Sequence, residues 1–93
     1  MTIQTIKGTF LVKNDRGLHT RPSTEIVRLA TTFKSDIRLR YQKIDVNAKS
    51  LLGVLMLAAV RGAKVKIIAQ GKDAIEAVNA LQALANCNFN IDY

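Results

Sequence analysis

The stretch Gly17-Leu18-His19-Thr20-Arg21-Pro22 holds the one histidine and the one proline of the chain. A neutral imidazole, with a reference pKa of about 6.5, is a nucleophile at cellular pH. Proline is favoured in the first turn of a helix, where its missing N–H removes no bond. Behind Pro22, Ile26, Ala30 and Phe33 recur at helical spacing, whereas Ile6, Phe10 and Val12 alternate ahead of it. His19 is therefore expected where a strand gives way to a helix, at the positive end of that helix. An anion held on its ring would meet first-turn N–H groups, the helix dipole and the Arg21 guanidinium. The site suits a phosphate or other negative group held on a histidine, and a phosphoryl group would bring close to two negative charges. Arg21 offers a planar fork for that charge, and Arg16 and Thr20 add a second cation and a hydroxyl beside it.

Other chemistries fail on residue counts. One histidine, the single cysteine Cys87 and seven scattered acids offer neither a metal-ligand cluster nor a disulfide. There is no G-x-S-x-G elbow and no glycine-rich nucleotide loop, so no cofactor is expected and the phosphoryl group must come from another protein. The net charge of +7, from 14 basic and 7 acidic residues, points to acidic partners without choosing among them. A nucleic-acid-binding module would want an aromatic platform, but Phe and Tyr total five and none pair along a strand.

Ninety-three residues, 48% of them apolar, fit one globular domain over 1–93 with a core at about 5–85. The longest apolar run, Leu51 to Val60, is broken only by Gly53, and crossing a bilayer takes about 20 residues. With no secretory signal visible, a cytoplasmic protein without membrane insertion is expected.

The elements that must position His19 follow from periodicity. A strand is expected from about Thr5 to Lys13, then a helix from about Thr20 to Phe33. Ile37, Leu39 and Tyr41 alternate with Arg38 and Arg40 in a half-buried strand, and Ile44 to Asn47 closes a hairpin with it. Ser50 caps a second helix that ends before Gly62. Val65, Ile67 and Ala69 alternate with lysines in a fourth strand. Asp73 is expected to cap a last helix whose stripe is Ala74, Val78, Leu81 and Ala85. Strands with one apolar face and helices with one apolar stripe bury themselves as a single sheet with all helices on one side, an α+β two-layer sandwich in the order βαββαβα. In the tail 86–93, Phe89, Ile91 and Tyr93 alternate, which leaves packing and edge addition both open.

The stretch Asn47-Ala48-Lys49-Ser50-Leu51-Leu52-Gly53-Val54 is the second distinctive segment. The helix behind Ser50 is apolar almost all round, so part of it must be exposed or lie in an interface. Together the two segments resemble HPr, the histidine-containing phosphocarrier family of the bacterial phosphoenolpyruvate-dependent sugar phosphotransferase system. The family signature is read as Gly17, Leu18, His19, Thr20, Arg21 and Pro22, and a second, regulatory-serine signature as Ala48-Lys49-Ser50-Leu51. The resemblance spans roughly Thr5 to Ala85, with Thr31 where many relatives carry a lysine or a small residue.

The resemblance implies an open-faced sandwich of four antiparallel strands covered on one face by three helices. It implies that His19 is phosphorylated on Nδ1 by enzyme I and passes the group to an enzyme IIA domain, with Arg21 stabilising charge. It further implies a docking face made of Arg28, Lys49, Leu51, Leu52 and Leu55, and regulation by phosphorylation of Ser50 by a dedicated serine kinase/phosphorylase. The alternative is a regulatory protein of the same fold acting through Ser50 and partner binding. A monomer is expected in either case.

Overall fold

A computed structural model describes residues 4–90. Strands β1 (Thr5–Leu11), β2 (Asp36–Tyr41), β3 (Ile44–Asn47) and β4 (Lys64–Gln70) form one antiparallel sheet in the order β1-β4-β2-β3. Helices α1 (Thr20–Ala30), α2 (Leu51–Met56) and α3 (Ala74–Asn86) complete the order, followed by a single 3₁₀ turn at Asn88–Asn90. The alternation expected of each strand holds: Ile37 and Leu39, Val65, Ile67 and Ala69 are buried, and the residues between them face outward. From α1, Pro22, Ile26 and Ala30 enter the core, and α3 contributes Ala74, Ala77, Val78, Leu81 and Ala85. At Gly8 a Cβ would lie 2.6 Å from Val78 Cγ1, so the absent side chain lets α3 settle onto β1.

Four features differ from the expectation, each for a tertiary or capping reason. Helix α1 stops at Ala30 rather than Phe33, because the hydroxyls of Thr31 and Thr32 donate to the carbonyls of Arg28 and Leu29 at 2.9 and 2.7 Å. Helix α2 stops at Met56, well short of Gly62. Ala58 takes a left-handed φ of +51°, and the chain beyond it pairs with the residues around Val12 instead of continuing the helix. Asp73 occupies the position before α3, but its side chain makes no bond to that helix. Its carboxylate accepts from the N–H groups of Lys34 and Ser35, at 2.8 and 2.9 Å, and from the Ser35 hydroxyl, clipping the start of β2 to that of α3.

The tail supplies the fourth difference. Phe89 is fully buried and meets Phe10 edge-on, with ring centroids 5.8 Å apart at 75°. Asn88, Phe89 and Asn90 all have φ between +54° and +60°, a left-handed turn that folds the chain back onto α1. Burial of one phenyl ring is worth about 2–3 kcal/mol, which offsets part of the cost of holding three residues in the left-handed region. The core thus extends to Phe89. Ile91 and Tyr93 lie outside the described residues.

The Asp73 clip makes stability depend on acidity in a stated direction. The Ser35 hydroxyl, followed by the Lys34 N–H, lowers the carboxyl from 3.8 to about 2. A depressed folded-state pKa gives stabilisation that is complete above the unfolded value and is lost as pH falls through the folded one. Denaturant unfolding from pH 5 down to about pH 2 should show this loss, and Asp73→Asn should remove that part of the pH dependence.

Candidate functional site

The loop before α1 is built around a buried asparagine. Asn14, 2% exposed, donates from its side-chain amide to the Gly17 carbonyl, and the Gly17 N–H returns a 3.1 Å bond to the Asn14 carbonyl. This closes a turn that requires φ of +69° at Gly17, a conformation open to glycine and strained for other residues. Space demands glycine as well, since a Cβ there would lie 2.3 Å from the Ala59 carbonyl oxygen. That carbonyl accepts from the Leu18 N–H at 2.9 Å, and the Leu18 side chain drops into the core. The loop is thereby fastened to the segment that leaves α2.

His19 follows as the residue preceding α1, with extended backbone (φ −102°, ψ −155°). Its carbonyl accepts from Ser23 N–H at 3.0 Å, and the buried Ser23 hydroxyl reaches the Leu18 carbonyl at 3.3 Å. Pro22 sits third in the helix, where a missing N–H costs no helical bond. The imidazole is half-buried and its Nε2 is shut off from solvent. No acidic residue occupies the first turn of α1, so nothing there cancels the positive end of the helix.

The exposed Arg21 lines a cleft of about 320 Å³ together with Thr20, Thr24, Glu25, Arg28 and Asn90. Arg28 is thus brought to the same side as Arg21, and Glu25 approaches it at 3.6 Å. Asn90 of the terminal turn donates to the other oxygen of Glu25 at 3.4 Å. Arg16 is exposed on the loop itself, and Arg61 pairs with Asp15 at 2.8 Å, tying the same two segments together at the surface.

Ser50 caps α2, its hydroxyl accepting from Gly53 N–H at 3.1 Å. Leu51 and Leu52 are exposed, at 38% and 69%, and Leu55 is half-buried. Two residues not anticipated enlarge this patch: Met56 and Val60 are 63% and 61% exposed. Both are exposed where α2 ends early, and only the long apolar run from Leu51 to Val60 hinted at it. Lys49 behaves differently from the other cations, since its ammonium donates to the Phe33 carbonyl at 2.7 Å and bridges the end of α1 to the start of α2. Helices α1 and α2 are neighbours, so the apolar patch and the His19 end of α1 share one layer. Among the described residues no three His, Cys, Asp or Glu side chains gather to hold a metal ion, and no helix is long and apolar enough to cross a membrane.

An open sheet carrying three helices on one face, with a histidine at the start of the first, is the architecture of a small phosphocarrier. A family model described as the PTS HPr component phosphorylation site matches residues 6–86, and the chain belongs to this HPr family. Among solved structures it is similar to HPr-C-His from Thermoanaerobacter tengcongensis, at 36% identity and a TM-score of 0.89, covering 95% of this chain and 99% of that one. It is also similar to the phosphocarrier protein HPr of Bacillus anthracis str. Ames, at 35% identity and a TM-score of 0.80 over 85% and 94% of the two chains. Crh, the Bacillus subtilis catabolite repression protein solved as a domain-swapped dimer, matches at 40% identity and a TM-score of 0.71 over 81% and 86%.

The close approach at Gly17 separates two glycine effects. Gly17→Ala meets both the positive φ and the Ala59 oxygen, and should cost about 3 kcal/mol in urea unfolding. Gly62, at φ +90° with nothing within 4 Å of its would-be Cβ, should cost only about 1 kcal/mol on the same change.

Proposed function

We propose that this chain carries a phosphoryl group on His19, taking it from enzyme I and handing it to an enzyme IIA domain as a stoichiometric, monomeric carrier. The observation that carries this reading is the seat of the imidazole. Burial of Nε2 away from solvent supports Nδ1 as the ring nitrogen that attacks phosphorus. The ring attacks as its Nε2–H tautomer: as the P–N bond forms at Nδ1, the bond from phosphorus to the donor breaks, and the one proton given up by the resulting imidazolium is taken by the released donor atom. The new dianion lies at the start of α1, within the field of its first-turn amides and beside Arg21. The patch of Leu51, Leu52, Leu55 and Met56 offers partners an apolar surface, and the cleft of Arg21 and Arg28 on the neighbouring helix offers them cations.

Incubation with phosphoenolpyruvate and a bacterial enzyme I should add one acid-labile, alkali-stable phosphoryl group by intact mass. His19→Ala should accept none, and uptake by that variant at the wild-type rate would sink the assignment. Arg21→Ala should remain folded and transfer roughly a hundredfold to a thousandfold more slowly, the range for one charge-stabilising contact in a water-excluded complex.

Ser50 supports a second, regulatory reading of the same surface, in keeping with the similarity to a catabolite repression protein. Its hydroxyl is already the cap of α2, so a phosphate there can accept from the same amides and leave the fold intact. The added charge would stand beside the leucine patch where an acidic partner docks. Ser50→Asp should therefore slow uptake from enzyme I, whereas Ser50→Ala should cost about 1 kcal/mol of stability and leave transfer unchanged. Equal uptake by Ser50→Asp and wild type would reduce Ser50 to a cap.

A further inference from the structure

The helices cover one face of the sheet, and the other is open across all four strands. On it β1 presents Lys7, Thr9 and Leu11, β4 presents Lys64, Lys66 and Ile68, β2 presents Arg38 and Arg40, and β3 presents Asp45. Register places Thr9, Lys66, Arg40 and Asp45 in one row across the sheet, and Lys7, Ile68, Arg38 and Asn47 in the next. Five cations stand here against two carboxylates, Asp36 and Asp45. Asp45 is already clamped by both arginines, at 2.7 Å from Arg40. Among the described residues no carboxylate lies within 4 Å of Lys7, Lys64 or Lys66. A basin of about 390 Å³ opens between Lys7, Thr9, Lys66 and Arg40.

We propose that this open sheet face docks on an anionic lipid bilayer. Charge complementarity calls for an extended anionic partner, and three features of the face select among such partners. It carries no aromatic ring, so it lacks the stacking platform of a single-stranded nucleic-acid binder. A four-stranded sheet about 15 Å wide is too broad to enter a duplex groove. Its cations are mainly lysines, which the cores of protein interfaces avoid. Leu11, 45% exposed, and Ile68, partly exposed, lie among the lysines and supply the aliphatic contact an interfacial site uses. Docking on this face leaves the helix layer, with His19, pointing into solvent. The proposal is independent of phosphoryl transfer.

Co-sedimentation with vesicles tests it, using phosphatidylcholine alone against the same lipid with about one-third phosphatidylglycerol at low ionic strength. The chain should sediment with the anionic vesicles only, and salt should release it. Lys7→Glu with Lys66→Glu should weaken binding roughly tenfold or more, whereas Arg16→Glu with Arg28→Glu, matched in net charge but on the helix side, should weaken it by less than about threefold. Circular dichroism should show all of these folded; if the first pair is not, Lys7→Gln with Lys66→Gln takes its place. Equal losses in the two pairs would reduce the effect to bulk charge and overturn the proposal. So would failure to bind anionic vesicles, whether or not the chain retards a DNA duplex.

Discussion

The geometry of the His19 site depends on a seam between two loops far apart in sequence. Three backbone bonds form it: Val12 N–H to the Ala63 carbonyl, Gly62 N–H to the Val12 carbonyl, and Leu18 N–H to the Ala59 carbonyl, at 2.9, 2.7 and 2.9 Å. Each is worth only about 1 kcal/mol net, but leaving a buried amide unmatched costs more. Their main effect is spatial. The seam draws the chain leaving α2 out of helical conformation and against the loop that carries His19. An imidazole and an apolar patch from separate halves of the chain become neighbours for that reason, and Gly17 is the residue whose lack of a side chain permits it.

What was legible in the sequence was what local physics decides. Alternation placed the strands to within a residue or two, because each has one buried and one solvated face. The turn-to-helix chemistry around Pro22 placed His19 at the start of α1, and the Ser50 cap needed only its own hydroxyl and the amide three residues on. The misses were non-local. Asp73 has the type and position of a helix cap, yet its oxygens are taken by Lys34 and Ser35, nearly forty residues upstream. The bond from the Lys49 ammonium to the distant carbonyl of Phe33 is likewise one that no local pattern announces. Phe89 is undecided in the sequence because its alternation with Ile91 and Tyr93 suits packing and edge addition equally, and its pocket beside Phe10 exists only once the sheet is formed. The burial of Nε2 likewise required the folded loop.

The charge layout shows the same division between local composition and folded placement. A surplus of +7 is self-repelling, so where the few acids sit decides where that surplus is felt. Asp45 is held between Arg38 and Arg40, Asp15 faces Arg61, and Glu25 divides its oxygens between Arg28 and Asn90. Asp73 is committed to backbone amides and a hydroxyl. None of these carboxylates lies in the first turn of α1. Positive potential therefore persists at the start of that helix, where the dipole adds to it. Such a field destabilises the unphosphorylated protein slightly and is relieved by any dianion bound there. On the proposed function that relief is reversible: the phosphoryl group is held by electrostatics strong enough to receive it, while an exposed rim leaves a partner free to compete for it. A buried cage of paired charges would hold the group more tightly, but release would then leave uncompensated charge in a low dielectric. Exposure of Arg21 and Arg28 is thus consistent with a carrier, whose task requires acceptance and surrender to be close in free energy.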